Sequence, residues 1–171
     1  MTRTKVVVGV WALSFAASAC SSPPADQRTL YSAPARDVFP AVGDVLGSHC
    51  GSLDCHGHPA RNMRIYAYNG LRIADVSGTG TTTDAEYDAS YQAVIAIDPE
   101  ALGAVVDEGG ERPERWIVVS KGRGSEAHKG HTAMVAGEPA DLCVLSWLAG
   151  VLDEEACIAG AEILPPETEP K

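Results

Sequence analysis

Aromatic side chains are scarce in this 171-residue chain: Phe, Tyr and Trp make up 6%, so something other than rings has to fill much of its core. Basic residues are scarce too, with 13 Lys and Arg against 23 Asp and Glu and a net charge of −10. That balance excludes nucleic acid as a partner, because such binding runs on neutralisation of phosphates by Lys and Arg. Beyond the N-terminus no apolar run reaches the ~20 residues of a membrane-spanning helix. There is no Gly-x-Ser-x-Gly elbow, no His-Glu-x-x-His helix and no phosphate-cradling Gly-Lys-Ser/Thr loop. Ser120-Lys121 and the acidic pairs Asp107-Glu108 and Glu154-Glu155 fit exposed helix ends. The motifs thus point away from an enzyme. Apolar residues at 45% and charged residues at 21% fit one globular domain.

The N-terminus has the layout of an export leader: Arg3 and Lys5, then an apolar stretch from Val6 to Ala17, then Ala17-Ser18-Ala19-Cys20. Small residues ending on a cysteine, followed by Ser21-Ser22-Pro23-Pro24, resemble a bacterial lipoprotein signal. The resemblance implies cleavage after residue 19 and acylation of Cys20, which would anchor the protein on the periplasmic face of a membrane. Plain secretion, with Cys20 unmodified, is the alternative. Without Arg3 and Lys5 the remainder has 11 basic and 23 acidic residues, a balance of −12. Residues 20–36 read as a polar tether, 37–160 as the domain and 161–171 as a disordered tail.

Within the domain the pattern is mostly α. Asp37 is placed to cap a helix carrying Val38, Phe39, Val42, Val45 and Leu46 on one face, with Pro40 in its first turn. Thr83 and Glu86 have capping-box spacing ahead of Tyr87, Tyr91 and Val94. Asp98-Pro99 opens a helix that turns Leu102, Val105 and Val106 inward, and Gly109-Gly110 ends it. Trp116 to Val119 reads as a strand or extended segment. Pro139 starts a helix with Leu142, Leu145 and Leu148 inward, and Asp153 caps a last short one. Trp147, Tyr87 and Tyr91 read as core.

Export makes disulfides or covalent cofactor attachment the live roles for the remaining four cysteines. Cys143 and Cys157 are expected to form a disulfide whose closed loop of ~15 residues contributes ~3 kcal/mol. The other pair lies in Cys50-Gly-Ser-Leu-Asp-Cys55-His56-Gly57. A c-type haem needs two thiols for two thioether bonds and a histidine directly after the second thiol to hold the iron. The usual spacing has two intervening residues; here there are four. The competing readings are a small Cys50–Cys55 disulfide loop, or a zinc site from both cysteines with His49, His56 or His58.

Together with Arg61-Asn-Met-Arg-Ile-Tyr66, Gly70-Leu-Arg72, Lys121, Ala127-His128-Lys129-Gly130 and Ser146-Trp147-Leu148-Ala149-Gly150, the motif resembles a cytochrome c-like domain. The type is the divergent one in exported planctomycete and myxobacterial proteins. The resemblance covers roughly residues 38–150. It implies a small helical domain with long loops, haem c bound through Cys50 and Cys55, and His56 on the proximal side of the iron. Candidates for the opposite side are His49, His58, Met63, His128, His131 and Met134. His128 matches the family's His-x-Gly pattern and ranks first, and Met134 ranks second. Arg61, Arg64 and Arg72 either meet haem propionates or form a solvated face.

The reading is a mono-haem lipoprotein that carries single electrons to or from a basic redox partner. Its rival is a cofactor-free, disulfide-stapled lipoprotein serving as an envelope interaction or structural module. A haem with an open iron position, as in a sensor or peroxidase, is a third possibility.

Overall fold

A computed structural model describes residues 30–73 and 80–162. The expected leader, Cys20, the first part of the expected tether and residues 163–171 lie outside the described residues. The fold is mostly α: six helices, with a lone bridge between Tyr66 and Leu71 as the only β pairing among the described residues. No helix among them is long and apolar enough to cross a membrane.

Helix α1 (Phe39–Cys50) buries Phe39, Val42, Val45 and Leu46 along one stripe, with Pro40 in the first turn. Asp37 does not cap it. Val38 stands at the cap with φ −93° and ψ −4°, already helical, whereas a side-chain cap needs an extended residue there. Helix α2 (Asp84–Ile95) has the full capping box of Thr83 and Glu86. Helix α3 (Pro99–Asp107) is capped by Asp98 and ends at Gly109 and Gly110, whose φ of 66° and 85° suit residues without a Cβ.

The segment expected to be extended is helical instead. After a 3-10 turn at Pro113–Arg115, α4 runs over Ile117–Gly122. The β-branched run favours a strand only weakly, and tertiary contacts decide. Trp116 is 1% exposed and donates its indole N–H to the Ile97 carbonyl at 2.7 Å. Winding the next residues into a helix turns Val118 and Val119 into the same core.

Helix α5 (Pro139–Leu148) buries Ala140, Cys143, Val144, Trp147 and Leu148, an i, i+3, i+4, i+7, i+8 stripe. Leu142, expected inward, lies just off that stripe and is 42% exposed. Helix α6 (Glu154–Ala161) is capped by Asp153 and joined to α5 by the Cys143–Cys157 disulfide. Gly160 lets the two helices meet, since a Cβ there would stand 2.7 Å from the backbone of Ala140.

Helix α1 packs against α2, α5 and α6. At the centre Phe39, Tyr91 and Trp147 meet, with Phe39 5.3 Å from each of the other two rings. Their polar atoms reach back into the expected tether. Tyr91 donates its hydroxyl to the Pro34 carbonyl at 2.9 Å, and Trp147 its indole N–H to Ala35 at 2.7 Å. The packed domain therefore begins a few residues before Asp37.

Candidate functional site

Cys50 is the last residue of α1, and from it the chain folds back on itself. The His56 N–H donates to the Cys50 carbonyl at 2.8 Å, and the Cys55 and Gly57 N–H groups both reach Ser52 O at 2.9 Å. The Gly51 carbonyl lies directly against the α-carbons of Gly57 and Gly70, where any side chain would overlap it. Three glycines thus let the 50–57 turn close onto the 67–71 segment. Both thiols are free and half-buried. Burial, followed by the neighbouring Cys55, pushes the Cys50 thiol up to about 12, so it is protonated at neutral pH and is not a reactive thiolate.

His56 has a fixed orientation. Its Nδ1 lies 2.8 Å from the Met63 carbonyl. A carbonyl only accepts, so Nδ1 carries the proton and Nε2 keeps its lone pair. Burial lowers the His56 pKa; the Met63 bond opposes this, while His128 and Arg61 add to it. The neutral, metal-ligating form is therefore favoured at pH 7.

The second half of the site is the loop 124–137. His128, near its tip, lies with its ring 17° from parallel to that of His56 and 5.9 Å away between centroids. Its Nδ1 is buried without a hydrogen-bond partner. Gly130 leaves room for it, because a Cβ there would come within 2.9 Å of the imidazole. Met134 is 1% exposed, and its methyl packs onto Gly122, where a Cβ would collide with it.

A cavity of about 370 Å³ is lined by Leu46, Cys50, His56, Met63, His128 and Met134, with Ile97, Ile117, Val118, Gly122 and others completing the wall. Cys55 borders a neighbouring cavity of about 230 Å³ that shares His56, Arg61 and His128. Cys50, two imidazoles and the thioethers of Met63 and Met134 therefore border one largely apolar space of ligand-binding size, with Cys55 on the cavity beside it.

The remaining candidates fall away. His49 donates Nε2–H to the Gly160 carbonyl at 2.8 Å and so ties α1 to α6. His58 accepts from the Ala60 N–H within its own turn. His131 is exposed, at φ 55°. Met63 lines the cavity but follows the His56 turn directly. Among the described residues no three His, Cys, Asp or Glu side chains cluster as a zinc site requires.

The three arginines do not act together. Arg61 lines both cavities and donates to the carbonyls of Cys55 and Asp54. Arg64 is exposed. Arg72 is taken up by Glu86 in a pair with side chains 9% and 1% exposed. Sequence reading missed Arg123 and Asp141, which join in a two-point contact at 2.8 Å beside Gly122. Their separation of 18 residues follows no local pattern that would announce it.

No protein-family model matches the chain, and no curated protein or solved structure matches it either.

Proposed function

We propose that this protein is a mono-haem, cytochrome c-like electron carrier of the bacterial envelope, lipid-anchored through Cys20. The observation that carries this is the facing of His56 and His128 across a space that Cys50 also borders. Both rings border that space, 5.9 Å apart between centroids and 17° from parallel. The unpartnered His128 Nδ1 is a further sign of a missing neighbour, because buried polar atoms ordinarily find one.

Cys50 and Cys55 would attach the haem, His56 would bind the iron proximally and His128 distally, with Met134 second in line. When bound, haem c supplies a one-electron couple. The chain's own residues orient and insulate it. The Met63 carbonyl holds the His56 ring and raises its basicity. Leu46, Ile97, Ile117 and Val118 give the cavity an apolar wall. Arg61 stands at the edge near Cys55. Without the leader, 11 basic residues against 23 acidic, a balance of −12, favour a basic redox partner and an encounter rate that falls with salt.

The test is production of the full chain alongside a c-type cytochrome maturation system. Haem that survives denaturing electrophoresis is expected, and it should be lost when Cys50 and Cys55 are replaced by Ser. Colourless protein whose mass shows those two sulfurs joined to each other would overturn the proposal and leave the stapled interaction module.

A further inference from the structure

The loop bearing His128 and Met134 is organised from one end of α4. Ser120 O accepts the N–H groups of Ser125 and Glu126, and Lys121 Nζ donates to the Ala127 carbonyl at 3.1 Å. On the returning limb, Gly122 O accepts both the Ala133 N–H at 2.8 Å and the Met134 N–H at 2.9 Å. The two ends of the loop then meet on one carboxylate. Asp141 takes Arg123 Nε on Oδ1, and a second Arg123 nitrogen together with the Gly137 N–H on Oδ2. Its side chain is 1% exposed and that of Arg123 18%, so the contact is shielded from solvent and geometrically specific.

Two potential iron ligands six positions apart thus share one loop that is closed by a pair, Arg123 and Asp141, off the cavity lining. In the closed arrangement the Met134 methyl is packed onto Gly122 while His128 faces His56. We propose that Arg123 and Asp141 are positioning residues for the distal ligand: by closing the loop on α4 they present His128 to the iron and hold Met134 back against Gly122. This rests on the haem reading above, and goes beyond it in assigning the choice of ligand to a pair that touches neither haem face.

The test compares holo wild-type protein with Asp141→Asn, Arg123→Lys and Asp141→Asn combined with Met134→Leu. Arg123→Lys keeps the charge but loses the two-point contact, so it serves if Asp141→Asn folds poorly. In both single variants covalent haem and helix content should persist, while the optical and magnetic signature changes from two imidazoles towards imidazole and thioether. The reduction potential should rise with it, since a Met/His pair favours the ferrous state. Met134→Leu should abolish the new signature. Unchanged ligation in variants shown to have lost the pair would overturn the proposal.

Hydrogen exchange on the haem-free chain separates failure of this inference from failure of the haem reading. In the single variants the Ala133, Met134 and Gly137 amides should exchange about tenfold faster or more, with the α2 amides unaffected. Uniform acceleration across the domain would mean that the pair merely supports the fold, and would sink the positioning role whether or not haem is bound.

Discussion

Two shielded arginine–carboxylate pairs close two loops of this molecule, and they serve different ends. Arg72 and Glu86 fasten the segment that follows the Cys50–His56 turn to the start of α2. Glu86 accepts from two Arg72 nitrogens, from the Ile73 and Thr83 N–H groups and from the Thr83 hydroxyl. None of these residues lines the cavities around His56. Arg123 and Asp141 make the same two-point contact with fewer supporting bonds, but Arg123 follows Gly122, which is part of the cavity wall. Like chemistry therefore does unlike work: the first pair is part of a helix cap and sustains the frame, and the second sets the register of a loop that faces the site. The comparison yields three expectations about the frame, each of which should leave the site's ligation alone.

The largest effect is expected from Glu86→Ala. Arg72, 9% exposed beside Glu86, would keep only its bonds to the Gly80 and Thr81 carbonyls, and removing one partner of a shielded ion pair costs about 3–5 kcal/mol. Denaturant unfolding of the full chain measures it. Below the transition, the surroundings of His56 and His128 should keep their spectroscopic signature. A shift there as large as that of Asp141→Asn would break the distinction between the two pairs.

Next comes the disulfide. Cys143 and Cys157 are 14 positions apart, and replacing both with Ser should cost about 3 kcal/mol, the chain entropy that a closed loop of this length withholds from the unfolded state. Because the bond joins α5 to α6, thermal stability should fall while the exchange rates of the 124–137 amides relative to those of α2 stay as they were. Selective loosening of that loop would instead place α6 in the control of the site.

The contrast between frame and site also separates what could be read from sequence from what could not. Helix starts at Thr83, Asp98, Pro139 and Asp153 were legible because a cap is settled within four residues. The Trp116 to Val119 segment was misjudged because local β preference yields to the burial of Trp116 against Ile97, which lies on another part of the chain. Leu142 was misjudged because the α5 stripe runs through Ala140, Cys143, Val144, Trp147 and Leu148, one position to its side. At the site, Cys50, His56, His128 and Met134 do converge on one cavity. The three arginines point separate ways, since closeness in sequence says nothing about direction: Arg61 turns to the Cys55 carbonyl, Arg72 to Glu86 and Arg64 to solvent. Asp141 gave no signal, because an acidic residue in a first helical turn is ordinary on dipole grounds alone.

The smallest effect tests how far the Glu86 network acts as one unit. The Thr83 hydroxyl accepts from the Glu86 N–H at 3.3 Å and donates to its carboxylate at 3.1 Å, so Thr83→Ala should cost about 1 kcal/mol, the usual value of a lost cap, and Thr83→Ser should restore most of it. The same change should alter the acid limb of stability. Burial alone would raise the Glu86 pKa, but Arg72, Thr83 and Ile73 together hold it down at about 2. A carboxylate depressed in the folded state stabilises the protein fully above its ordinary range, and that contribution fades as pH falls from about 5 towards 2. Losing the Thr83 hydroxyl removes one of the bonds that favour the charged form, so the folded-state pKa rises and the pH-dependent part of the stability shrinks. Unfolding followed from pH 6 to pH 2 should therefore show the variant and the parent converging at the acid end. Parallel curves would mean that the cap and the ion pair act independently, with Arg72 and the Thr83 and Ile73 N–H groups keeping Glu86 ionised.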